Sequence, residues 1–141
     1  MNLDVLVVDT SVVVKWLNQD NEGNIEQADK IMKDAEAGKV SIIAPELAKY
    51  EVGNVLLLGK HLTIQQASIV LNQFYKIPIT YIEASLINAN ITFDIASEAR
   101  ITYYDASFMA LAYQYGATLV TDNIKHQGKS NKIKTIALAD Y

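Results

Sequence analysis

The sequence has no cysteine, and that absence excludes disulfide scaffolds, thiolate zinc sites, iron–sulfur clusters and a cysteine nucleophile. It fits a reducing, cytoplasmic setting. Histidine occurs only twice, which argues further against zinc. Long apolar runs are also lacking: the longest, such as residues 5–8 and 55–58, fall far short of a membrane span. The opening MNLD has no basic region and places an acid before the apolar run, unlike a secretory signal. The six glycines and two prolines are scattered, with neither repeat nor low-complexity tract, so nothing marks a linker and residues 1–141 read as a single domain. Positive charge is in short supply: 12 basic against 16 acidic residues leave a net charge of −4. A protein that passively coats nucleic acid carries the opposite sign. Action on nucleic acid remains open to an acidic protein whose carboxylates hold metal ions and so reverse the local charge.

What is present is an ordinary globular balance, 50% hydrophobic and 20% charged, in which short apolar runs alternate with amphipathic ones. Residues 3–9, LDVLVVD, form a continuous β-branched run too short for a stable helix, as expected of a central parallel strand covered on both faces. Residues 10–17 place Val13, Trp16 and Leu17 at helical spacing, and residues 24–37 form an amphipathic helix stopped by Gly38. Further strands are expected over 39–44, 77–82, 117–121 and 134–138. Helices are expected from Pro45 to Gly59, over 63–74 with Thr63 as N-cap, over 85–100 and over 104–115. This alternation implies a three-layer α/β/α architecture around a central, mainly parallel sheet of four to five strands.

Such sheets bind ligands beyond the carboxyl ends of their strands, so polar residues at those ends and on apolar helix faces deserve the closest reading. Most acids lie among polar neighbours: Asp20, Glu22, Glu26, Asp29, Asp34 and Glu36 read as a solvated face. Four do not. Asp9 ends the most apolar strand, where an N-cap is the plain alternative. Glu51 shares its helix face with Leu47, Asn54, Val55 and Leu58, and its plain alternative is an edge glutamate paired with Lys49 or Lys60. Asp105 opens an apolar helix, where a first-turn acid favoured by the helix dipole is also ordinary. Asp122 follows a strand and precedes Asn123, a common turn pair. Three or four carboxylates converging at one sheet edge would raise one another's pKa values unless a divalent cation relieved them. Oxygen donors suit Mg²⁺ or Mn²⁺, which can polarise a phosphodiester and activate water.

The blocks VVDTSVVVKWL, APELAKYEVGNVLL and YYDASFMALAYQYGATLVTDN resemble, in order and spacing, the PIN-domain ribonucleases of the VapC toxin type, over about residues 5–124. The resemblance implies an α/β/α domain, an acidic pocket for Mg²⁺ or Mn²⁺, RNA cleavage, a small antitoxin partner and a homodimer. Carried over position by position, it makes Asp9, Glu51 and Asp105 metal-holding acids. Ser11 supports the first acid, and Thr121 orients ligands or the scissile phosphate. A metal-activated water attacks phosphorus and the 3′ oxygen leaves. The family commonly has Thr-x-Asp after its fourth strand, whereas this chain reads Thr121-Asp122-Asn123. Either Asn123 serves as a neutral ligand or Asp122 swings in, and the missing charge implies one tightly held ion.

Rival readings fare less well. A receiver domain needs adjacent acids where Val8 and Asp9 stand, and a haloacid-dehalogenase-type phosphatase needs an acid where Ser11 stands. A nucleotide-binding module needs a glycine-rich turn that DTSVVVK lacks. A PIN-like module that binds a protein or RNA partner without cleaving remains the alternative. His61 and His126 read as surface residues. Residues 125–134 carry four of the twelve basic residues, as a solvated loop or an RNA-steering rim. Tyr103, Tyr104, Tyr113 and Tyr115 read as core or dimer packing, with base stacking as the alternative.

Overall fold

The computed structural model describes residues 3–128 and 130–141. Lys129, within the basic run, lies outside the described residues, as does the side chain of His126. The chain alternates strands and helices in the order β1 (Asp4–Val8), α1 (Thr10–Leu17), α2 (Ile25–Glu36), β2 (Val40–Pro45), α3 (Leu47–Asn54), α4 (Ile64–Phe74), β3 (Ile79–Ile82), α5 (Leu86–Ala99), α6 (Tyr103–Tyr115), β4 (Thr118–Thr121), α7 (Ile124–Gln127) and β5 (Thr135–Ala137). Immediately after α3 the chain widens into one π-helical turn, Val55–Gly59.

The five strands form one parallel sheet in the order β3-β2-β1-β4-β5. The chain builds outward from β1 to β3, then returns across the sheet to lay β4 on the other side of β1. Right-handed crossovers therefore send α1–α4 to one face and α5–α7 to the other. Contacts agree: α1 packs on α2, α3 and α4, while α6 packs on α5 and α7 and covers β1, β2 and β4. The reversal at β1 and β4 opens a crevice beyond their carboxyl ends.

Both faces of β1 are covered, which explains its unbroken apolar run: Leu6, Val7 and Val8 are buried, as are Leu119 and Val120 beside them. Phe108, Met109 and Leu111 on α6 close one side, and Val12, Val13 and Leu56 the other. Caps set several helix ends. Thr63 and Gln66 form a reciprocal capping box, and Ser85 and Thr102 cap α5 and α6. Gly116, at φ +59°, ends α6 in the left-handed conformation that glycine adopts without penalty.

Three expectations need correction. Pro45 does not open a helix; it is the last residue of β2, paired with Ile82, and α3 begins at Leu47. A proline that needs no ladder donor is as well placed at a strand end as in a first helical turn. The basic run is not all loop, since α7 occupies its start. Of the core or dimer packing expected for Tyr103, Tyr104, Tyr113 and Tyr115, the core is ruled out: they lie exposed at the two ends of α6, either side of its buried middle. No helix among the described residues is long and apolar enough to cross a membrane.

Leu119 is fully buried in β4 between β1 and β5. Leu119→Ala should lower unfolding free energy by about 2–5 kcal/mol, read as a lower urea midpoint with unchanged slope. A loss near zero would mean that β4 is not part of the cooperative core.

Candidate active site

The crevice between the ends of β1 and β4 holds a cavity of about 430 Å³, lined by Asp9, Ser11, Glu51, Asn54, Asp105 and Asn123 among others. These residues arrive from β1, α1, α3, α6 and the turn after β4. The fold thus brings together three of the four acids singled out from sequence.

Asp9 stands at the N-cap position of α1, but its side chain makes no capping hydrogen bond there. The amides of Ser11 and Val12 in the first turn nonetheless favour its charge. Its two oxygens are held instead by hydroxyls: Ser11 Oγ donates to Oδ1 and Thr121 Oγ1 to Oδ2. Asp9 is 6% exposed and Thr121 fully buried. Burial pushes the Asp9 carboxyl above the usual range despite both hydroxyls, which pull the other way.

Each hydroxyl then accepts in turn. Thr121 Oγ1 takes the Asn123 amide at 2.8 Å, and Ser11 Oγ takes the Asp122 amide at 3.1 Å. One carboxylate therefore organises the start of α1 and the turn after β4 together. Glu51 accepts from Thr10 Oγ1 at 2.9 Å. Its pKa is also raised, first by burial and then by the negative charge of Asp105 and Asp9, with the Thr10 hydroxyl opposing. Lysine pairing does not account for Glu51, because Lys49 pairs with Glu46 and Lys60 with Glu22. Asp105 lines the cavity from the first turn of α6, where Thr102 does the capping.

The turn after β4 separates the two remaining candidates. Asn123 lines the cavity. Asp122 is not among the lining residues; its carboxylate meets Lys15 Nζ at 2.9 Å and Asn24 Nδ2 at 3.0 Å. Glu22 departs from the solvated face expected of it. It lines the cavity and bridges Lys15 at 3.0 Å and Lys60 at 2.9 Å, which hold its pKa down against burial. Sequence reading missed Lys15, although a lysine inside the apolar VVVKWL was a signal: it is 1% exposed and so must be paired. The π-turn was missed too. Such turns often mark functional sites, and here Val55 at its start lines the cavity.

The donors are oxygens of four carboxylates, two amides and hydroxyls, with Glu22 already bridged to lysines, a set that fits a hard divalent cation such as Mg²⁺ or Mn²⁺. Among the described residues no three Asp, Glu or His side chains are drawn to chelating separation. A cation here would keep part of its water shell, as Mg²⁺ does in open sites.

A family model for the PIN domain matches residues 6–129. No curated protein matches the chain. Among solved structures, PAE2754 from Pyrobaculum aerophilum is similar at 25% identity, with 99% of this chain and 94% of that one covered and a TM-score of 0.68. VapBC2 from Rickettsia felis, bound to a DNA fragment from its promoter, is similar at 17% identity, with 94% and 98% covered and a TM-score of 0.72. The DNA-bound VapBC of Salmonella typhimurium is similar at 14% identity, with 97% and 99% covered and a TM-score of 0.68.

Two predictions come from the cavity. A carboxyl whose folded pKa lies above its unfolded value binds its proton more tightly in the native state. That stability is present at low pH and is lost as pH rises above the unfolded value of 3.8. Asp9→Asn should therefore melt higher than the parent at pH 7 in divalent-free buffer, with the gap narrowing toward pH 4. Equal melting at both would show that the buried charge carries no penalty. Asn123→Asp should raise Mn²⁺ affinity roughly tenfold by adding a charge at the cavity wall. An unchanged calorimetric titration would put that side chain beyond the cation's reach.

Proposed function

Because the chain belongs to the PIN-domain family, we propose that it is a metal-dependent endoribonuclease, the toxin of a VapC-type toxin–antitoxin pair. The observation that carries this reading is the buried Asp9 carboxylate, set in one cavity with Glu51 and Asp105. Burying an acid beside two others costs stability. A fold selected for stability alone has no reason to keep that arrangement, whereas a cation-dependent site does.

Asp9, Glu51 and Asp105 would hold Mg²⁺ or Mn²⁺, directly or through water. When bound, the dication polarises the scissile phosphate and acidifies the attacking water. Ser11 and Thr121 fix both oxygens of Asp9, so its orientation is set before any ligand arrives. Thr10 does the same for Glu51. Asn123 offers an amide to a water or to a phosphate oxygen. Water adds to phosphorus in line and the 3′ oxygen leaves. Neither histidine is needed for this: His61 is exposed and is not a cavity residue.

Two surface features support the wider reading. An apolar groove between the π-turn and α4, lined by Leu56, Leu57, Leu62, Ile64 and Leu71, suits an apolar segment of a small antitoxin. The exposed tyrosines of α6 suit a homodimer contact or stacking on RNA bases. The rival reading, a partner-binding module that does not cleave, draws only on the missing fourth carboxylate at Asn123.

The purified protein should cleave single-stranded RNA in Mn²⁺ and lose cleavage in excess chelator. Asp9→Asn and Asp105→Asn should each cost more than about a hundredfold in rate while leaving the circular dichroism spectrum unchanged. Equal activity in either variant would remove that residue from the mechanism. A parent protein inert on every RNA supplied with Mn²⁺ would favour the non-cleaving module.

A further inference from the structure

Lys15 is buried to 1% exposure, and one of its partners, Glu22, lines the acidic cavity. Its ammonium meets two carboxylates, Glu22 at 3.0 Å and Asp122 at 2.9 Å. Burial alone would discharge a lysine, but these two acids more than offset it and hold its pKa above the ordinary value. Glu22 is steadied from its other oxygen by Lys60, whose ammonium also donates to the Asp20 carbonyl. Asp122 is steadied by Asn24.

The position of Lys15 on α1 matters as much as its charge. It lies four residues after Ser11, on the same helix face. Ser11 takes the Asp122 amide and Lys15 takes the Asp122 carboxylate, so one helix grips one residue at both its backbone and its side chain. With residue 122 fixed outward, the next residue is directed into the cavity, where Asn123 is found.

We infer that Lys15 is a positioning residue that restricts the cavity to a single dication. By holding Asp122 and Glu22 it keeps two nearby carboxylates out of cation binding, and it fixes the turn that presents Asn123. The acids around the crevice are thereby sorted by partner: Glu22 and Asp122 answer an internal ammonium, while Asp9 and Glu51 answer hydroxyls. The inference rests on the reading that the cavity binds a dication.

The test is Mn²⁺ binding, followed by calorimetry and by the electron paramagnetic resonance signal of free Mn²⁺, on the parent, Asp122→Asn, Lys15→Met and the double variant. The parent should bind one equivalent. Lys15→Met should gain a second, weaker equivalent as the Asp122 carboxylate is released, and the double variant should return to one. Asp122→Asn is nearly isosteric, so it can still overturn the inference where Lys15→Met does not fold. It should keep one equivalent with affinity within about twofold of the parent. A merely structural lysine would lower the melting temperature without moving the stoichiometry. A folded Lys15→Met that still binds one equivalent overturns the inference. So does an Asp122→Asn that loses about tenfold or more in affinity, since that makes Asp122 a ligand. A parent that binds no Mn²⁺ overturns the cation reading, and this inference with it. One that binds while the variants fail these expectations overturns this inference alone.

Discussion

The structure depends on the cost of keeping the Asp9 carboxylate inside the protein. A charge at the junction of two central strands is tolerable only if its oxygens are satisfied, and the satisfying groups here are the hydroxyls of Ser11 and Thr121. Neither neutralises it. Arginine or lysine would have stabilised the folded chain better, yet the lysine at hand, Lys15, is turned to Glu22 and Asp122 instead. The negative charge at the strand ends is therefore maintained against the direction stability would choose, which is the pattern expected where a site is organised for a cation arriving from solution.

Around that centre, charges are separated by element rather than by distance. The α1–α2 loop and the β4–α7 turn carry acids already engaged by lysines, Glu22 at the cavity wall among them, while the end of β1, α3 and α6 carry the other cavity acids. Hydroxyls do the fine positioning: Thr10, Ser11 and Thr121 each donate to a carboxylate, and two of them accept a backbone amide in return. Such reciprocal bonds make the turn after β4 an extension of the sheet rather than a free loop.

Much of the fold was legible because local signals agreed with the global arrangement. The extent of α1 over residues 10–17, the Thr63 cap and the glycine stop at Gly116 follow from short-range chemistry, and the structure has them. Pro45 misled because a proline suits both the last residue of a strand and the first turn of a helix. The gathering of Asp9, Glu51 and Asp105 was legible from strand ends and an apolar helix face. The division between Asp122 and Asn123 was not, because adjacent residues in a turn point apart and only the partner of one decides the direction of the other. Glu22 hid in a polar loop without periodicity, and its role depends on a lysine whose partners only the fold reveals.

The bond between Thr121 and Asp9 spans 112 positions in the chain. During synthesis the first acid leaves the ribosome long before the hydroxyl that orients it, and β4, which must slide in beside β1, is made after β2 and β3. A nascent or truncated product ending before that strand has a carboxylate held by Ser11 alone and a sheet without its crevice. The cavity is thus assembled only once β4 has joined β1, and a chain that stops short of residue 118 has no such pocket.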